Sequence, residues 1–208
     1  MDYTSRDRVI QELHSVLASG SSVDDNLIDT LVTAASRAWD RKCTGVPDSE
    51  NYFASGSVSG EILVGQVSSD GTKIICYPHK PIVDSVSSFS FQGNITQTAY
   101  TVDPTRIEVY GPRVTAYPSS MPLNCPSKCR VNISYVGGLG ASLADLPEDL
   151  VEAVTILAIR FYKETETGLA DQMAIAELGQ NIYTKAWPIR VQETAEYYRR
   201  KVGWRNVA

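Results

Sequence analysis

The stretch Arg130–Thr165, RVNISYVGGLGASLADLPEDLVEAVTILAIRFYKET, changes character part-way, and that change decides the fold class. RVNISYV is rich in β-branched and aromatic residues and reads as a strand. LPEDL then places Pro147 at the first position of a helix with two acids behind it, a strong start signal. That helix is expected to run to about Thr167, with Gly168 stopping it. Between the two lies YVGGLG, Tyr135–Gly140, which superficially resembles a phosphate cradle. A cradle needs glycine to open the helix directly, so that unpaired N–H groups point at phosphate. Here ASLADLP intervenes and no Gly-Lys-Ser/Thr follows, so the glycines read as a flexible connection.

Upstream of this junction the chain is first helical, then strand-rich. Thr4 or Ser5 can cap a helix carrying Val9, Ile10, Leu13, Val16 and Leu17 at helical spacing, broken by SGSS. Ser22 caps a second helix with Asp24 and Asp25 in its first turn. Leu27, Ile28, Leu31, Ala34, Ala35, Ala38 and Trp39 form its apolar face, and Gly45 with Pro47 ends it. From about residue 52 to 136, EILVGQV, TKIICY, IVDSVSSFSF, AYTV, RIEVY and RVNISYV read as strands. SSDGTK and QGN supply hairpin turns. Val83, Val86 and Phe89 alternate imperfectly, which predicts a bulge or bend. Prolines 112, 118, 122 and 126 make YGPRVTAYPSSMPLNCPSK a long exposed loop. A last helix begins near Pro188 and runs to about Val202.

The fold class is therefore α+β: a bundle of about four helices, two N-terminal and two C-terminal, with an inserted antiparallel β subdomain. Residues 1–50 and 137–187 make the helical core, 51–136 the insertion, and 188–208 a C-terminal helix and tail. Ordinary proportions of apolar (43%) and charged (21%) residues over 208 positions fit one domain with a sizeable insertion. The net charge of -5 argues against a surface that grips nucleic acid, though not against one that DNA merely passes. MDYTSRDRVI lacks a signal peptide's apolar run and no stretch suits a membrane helix, so use without export is expected. Disulfides among Cys43, Cys76, Cys125 and Cys129 are then not expected.

At about 100° per residue, Leu150, Val151, Ala153, Val154, Leu157, Ala158, Phe161 and Tyr162 fill one side of the Pro147 helix. Glu148, Asp149, Glu152 and Lys163 lie opposite, but so do Ile156 and Ile159. Full burial of one Ile is worth roughly 1.5–3 kcal/mol. Scattered surface apolars are normal. The preferred reading is that this side meets a neighbouring subunit, with Glu152 and Lys163 pairing across the contact.

Chemistry finds little footing. Cys76 with His79 and Cys125 with Cys129 offer a conceivable zinc set, but nothing in the spacing brings the two pairs together, and ordinary thiols are the better reading. No cofactor is implied. His14 and His79 are the only histidines, and no nucleophile elbow or metalloprotease helix is present, so no enzyme is expected. NIT at Asn94 and NIS at Asn132 match glycosylation sequons by coincidence if there is no export. The end of the chain is basic and aromatic, with Arg190, Tyr197, Tyr198, Arg199, Arg200, Lys201, Trp204 and Arg205. It reads as a docking segment, or as a helix whose aromatics pack on the body; contact with nucleic acid is the weaker third reading, given its short length and the acidity of the chain.

Three segments in order resemble the head–tail connector (adaptor) proteins of long-tailed bacteriophages. They are SSVDDNLIDTLVTAASRAWDRKCTG, ICYPHKPIVDSVSSFSFQG, and the strand, glycine link and Pro-started helix quoted at the outset. The resemblance covers most of residues 22–168. It implies a structural virion protein of the head–tail neck, assembled in the host cytoplasm. Such proteins form a homo-oligomeric ring, usually of twelve subunits, beneath the portal, and a tail-side neck or stopper protein docks below. Genomic DNA passes through the lumen without sequence-specific binding, and no membrane is involved. The C-terminal segment would then reach the portal through Arg190, Tyr197, Tyr198, Arg199, Arg200, Trp204 and Arg205. Ile156, Ile159, Glu152 and Lys163 would face a neighbour, and Tyr117, Met121 and Leu123 would lie on the exposed, tail-side loop. Removing residues 188–208 is expected to abolish portal binding with the body still folded. The alternatives are a β-rich binding module of a tail fibre or baseplate, and a small helical DNA-binding regulator.

Overall fold

The computed structural model describes residues 1–14, 25–45, 51–93, 98–122, 125–166 and 187–202. These form four helices and seven strands, an α+β architecture, grouped into a helical unit (Met1–Asn51 with Leu143–Arg200) and a sheet unit on Tyr52–Ser142.

In the helical unit, α1 (Arg6–His14) starts where Ser5 Oγ accepts from the Arg8 amide at 3.2 Å. Thr4 is buried instead, with its hydroxyl 2.6 Å from that of Thr155. α2 (Asp25–Thr44) buries Ile28, Val32, Ala35, Trp39 and Cys43. Its inward face is turned relative to the sequence reading, since Leu27, Leu31, Ala34 and Ala38 are only half-buried while polar Ser36 and Asp40 are buried. The reason is Tyr3. Its amide donates to Ser36 Oγ at 3.0 Å and its hydroxyl to Asp40 Oδ1 at 2.7 Å, satisfying polar groups that would otherwise be costly to bury. Gly45, at φ 70°, caps α2 with its amide on Arg41 O.

α3 (Glu148–Glu166) begins at Pro147, whose carbonyl accepts from the amides of both Leu150 and Val151. It buries Leu150, Val151, Ala153, Val154, Leu157, Ala158 and Tyr162, and it packs against α1 and α2. α4 (Ile189–Val202) buries Val191, Ala195 and Tyr198. Trp187, just before it, stacks on Trp39 with ring centroids 6.1 Å apart. Val16, Leu17, Ser22, Asp24, Pro47, Asn94, Thr167 and Gly168 lie outside the described residues.

The sheet unit contains β1 (Gly56–Val67), β2 (Ile74–Cys76), β3 (Val83–Gln92), β4 (Tyr100–Val102), β5 (Ile107–Tyr110), β6 (Arg113–Ala116) and β7 (Lys128–Gly137). All pairings are antiparallel, in the order β4-β3-β7-β1-β2-β6-β5. The sheet curls until Val83, at the start of β3, donates its amide to Gly111 O in the β5–β6 turn, so it is nearly closed. Val114, Ala116, Val131, Ile133, Phe89 and Phe91 fill its inside. β3 carries two register shifts, between Val83 and Ser85 and between Val86 and Ser88, where the broken alternation predicts a bulge.

Two expectations are corrected. The segment after Tyr110 is not one long exposed loop, because it contains β6. Pro112 sits in the turn at Gly111, and the next residues pair with both β2 and β5, burying Val114, Thr115 and Ala116. Nor is the glycine-rich connection loose. Gly138 donates to Ile82 O at 3.0 Å, Leu139 to Phe53 O at 2.7 Å, and Gly140 O accepts from Ser55 at 2.7 Å. A Cβ on Gly138 would lie 2.4 Å from Ser55 backbone atoms, so glycine serves close approach here and not flexibility.

Candidate interaction surfaces

The Pro-His-x-Pro segment is held by a polar network inside the sheet unit. Glu61 follows a register shift in β1, and its carboxylate accepts from the His79 amide at 3.0 and 3.2 Å and from the Tyr135 hydroxyl at 2.7 Å. The Lys80 amide donates to that hydroxyl, and Lys80 Nζ donates to Ala54 O. Tyr52 meets the His79 ring edge-on at 5.2 Å. Burial and the Glu61 carboxylate push the Tyr135 phenol up, so it stays a donor across the ordinary pH range. The arrangement fixes a chain crossing. Glu61 was not singled out by sequence, and the only local hint is an acid at the head of a strongly apolar strand.

The cysteines do not converge with His79. Cys76 and Cys129 belong to the sheet interior and half-buried Cys125 packs on the same core, while His79 engages Tyr52. Burial pushes Cys76 up to about 12 and Cys129 up to about 11, so both thiols stay protonated near neutrality. No group of three or more His, Cys, Asp or Glu among the described residues could hold a metal ion.

On α3, Ile156 and Ile159 are half-buried, on the side turned away from the helix's buried residues. Glu152 is engaged within its own chain: Arg190 of α4 donates to its Oε2 at 2.7 Å. Two residues that the sequence assigned to two different partners thus pair with each other. Lys163, about three turns further along α3 than Glu152, is half-buried, and Arg160 pairs with Glu164 one turn on.

The C-terminal helix divides its residues. Tyr198 is buried, its hydroxyl donating to Asp149 Oδ1 at 2.8 Å and its ring edge-on to Trp39, so it packs the helical unit instead of projecting as an anchor. Tyr197 is 50% exposed, and Arg199 is exposed with Glu196 3.6 Å away. Arg200 lies within α4, and Trp204 and Arg205 lie outside the described residues. Because Val191, Ala195 and Tyr198 are core, deletion of residues 188–208 would not leave the body intact, which corrects the expectation above.

On the loop after β6, Tyr117 is half-buried with its hydroxyl donating to Glu108 Oε2 at 2.9 Å. Met121 packs against the sheet interior, and Leu123 lies outside the described residues. Among the described residues the most open large apolar side chains lie elsewhere: Tyr110 at the β5–β6 turn, Ile189 at the start of α4, and Val64 and Ile62 on the outer face of β1. EILVGQV has apolar residues in both strand phases, a sign of two covered faces that the sequence reading did not use.

No protein-family model matches this chain, and no curated protein sequence matches it. Among solved structures, it is similar to a chain in the neck of an empty gene transfer agent (GTA) particle computed with C6 symmetry. That match has 18% identity over 95% of this chain and 89% of the other, with a TM-score of 0.49. A chain in the virion of the native GTA particle matches at 19% identity, over 87% and 80%, with a TM-score of 0.45. One in the neck of the native GTA particle computed with C12 symmetry matches at 20%, over 84% of each, with a TM-score of 0.44. With identities of 18–20% and TM-scores below 0.5, these likenesses carry no argument about what the chain does.

Proposed function

We propose that this chain is a structural, non-enzymatic virion protein of the head–tail neck. It is the subunit of an adaptor ring, of about twelve copies if it follows the family it resembles, that sits beneath the portal and continues the DNA channel. The observation that carries this reading is the ordered set of three sequence patterns, each of which lies at a joint of the fold. The first supplies α2 with its Gly45 cap. The second supplies the Pro-His-x-Pro segment held by Glu61 and Tyr135. The third supplies β7, the clamped glycines and α3. The role is docking: subunits pack ring-wise, and the outward residues of α4, Tyr197 and Arg199 among them, engage the portal. A tail-side neck or stopper protein meets the opposite end, and DNA slides past a net-negative protein without sequence-specific binding. No described helix is long and apolar enough to cross a membrane.

Electron microscopy of the chain mixed with its portal tests the reading. A ring added to the portal is expected, together with its loss in Tyr197→Ala/Arg199→Ala protein that melts like the wild type. A portal that stays undecorated at any concentration of the wild type would rule the adaptor role out. Ile156→Lys/Ile159→Lys should cut ring assembly more than it lowers the melting temperature; equal losses would make these residues core.

A further inference from the structure

We infer that the outer face of β1 and β7 docks onto the acidic helical unit of a second copy of this chain. Register places Ile62 opposite Asn132, Val64 opposite Arg130, and Gln66 opposite Lys128, all on the face turned away from the sheet interior. Ile62 is 55% exposed and Val64 68%, adjacent on one strand face. Lys128 and Arg130 are exposed and form no ion pair among the described residues. An aliphatic centre rimmed by polar and cationic groups is the anatomy of a protein contact. Nucleic acid would favour aromatic platforms at that centre.

The charge distribution names the partner. Residues 52–142 hold six Lys/Arg and five Asp/Glu, whereas residues 1–51 and 143–200 hold eleven and nineteen. The acidity of the whole chain therefore resides in its helical unit, and the cationic rim of one copy finds its complement on the helices of the next. Such a contact joins two unlike surfaces, as a head-to-tail ring requires. The inference rests on the ring reading and supplies one of the ring's two faces.

The test uses the full chain, alone by sedimentation velocity and on the portal by counting bound copies. Lys128→Glu/Arg130→Glu and, separately, Ile62→Thr/Val64→Thr are compared with the wild type after circular dichroism shows unchanged folding. Copy–copy association of the wild type is expected in at least one setting, weakened by salt and by roughly tenfold or more in each variant. Association in neither setting, or variants that associate like the wild type, overturns the inference. So does duplex DNA binding that only the charge reversal abolishes, with self-association untouched. Variants that still form full rings on the portal would sink this surface and leave the adaptor role standing. Self-association through it without portal decoration would do the reverse.

Discussion

Gly65 lies opposite Cys129 in the β1–β7 register, and a Cβ there would come within 2.5 Å of Val131 Cγ2 and 2.8 Å of Ile74 Cγ2. Both neighbours are core methyls on strands, with nowhere to retreat. Gly65→Ala is therefore expected to cost about 1–3 kcal/mol in urea denaturation, the usual penalty for overpacking. Gly71 gives the contrast: its φ is 68° with open space around it, so alanine there should cost about 1–2 kcal/mol through backbone strain alone. Thiol chemistry separates the four cysteines in the same way. Cys125 is half-buried while Cys43, Cys76 and Cys129 are buried. A disulfide reagent at pH 7.5 should titrate Cys125 first and reach the others only in denaturant; fast modification of a second thiol would contradict the packing described.

At the scale of elements, α4 has two sides with different work. Its inner side is bound by Tyr198, whose hydroxyl meets Asp149 and whose ring meets Trp39, so Tyr198→Phe should lose about 1 kcal/mol of helical-unit stability. Its outer side carries Tyr197 and Arg199, where alanine should leave the melting curve almost unmoved. The Arg190–Glu152 pair is exposed, with side chains 69% and 36% accessible, and charge reversal of either residue should change stability by less than about 1 kcal/mol. Deleting residues 188–208 differs in kind, because it strips Val191, Ala195 and Tyr198 from the core. Loss of the cooperative unfolding transition is expected, and portal binding by such a fragment would be uninterpretable without that control. The helices were legible because their signals are local: the Ser5 cap, the Gly45 stop and the Pro147 start each act on the nearest turn. β6 was not legible, since four residues among prolines become a strand only through the flanking strands they pair with.

For the whole molecule, pH dependence follows from groups that burial keeps protonated. The Cys129 and Cys76 thiols are raised to about 11 and about 12, and burial raises Cys43, Tyr135 and Tyr198 as well. An unfolded chain releases thiol protons from about pH 9, while the folded chain holds them. The unfolded state then binds fewer protons, so stability falls as pH rises, by about 1.4 kcal/mol per unit for each such group between its two values. Urea midpoints should be flat from pH 7 to 8 and drop between 9 and 11. A flat profile to pH 11 would mean that these groups are solvated. Cys76→Ser would not remove the effect, because Cys129 and the two tyrosines remain.

By itself the sequence determined the order of the helices and of every strand but β6, the Pro147 start, the Asp70–Gly71 turn and the bulges of β3, since each depends on the backbone and its immediate neighbours. Tertiary structure alone decided which polar residues are core. Thr4, Ser36 and Asp40 are settled by partners 33 to 151 residues away, and no window of sequence contains both halves of such a bond. The same holds for the glycine link, where composition suggests looseness and the approach of Ser55 requires rigidity. It holds again for Glu152, Arg190 and Tyr198, which the sequence directed outward and which the chain uses to bind its own last helix.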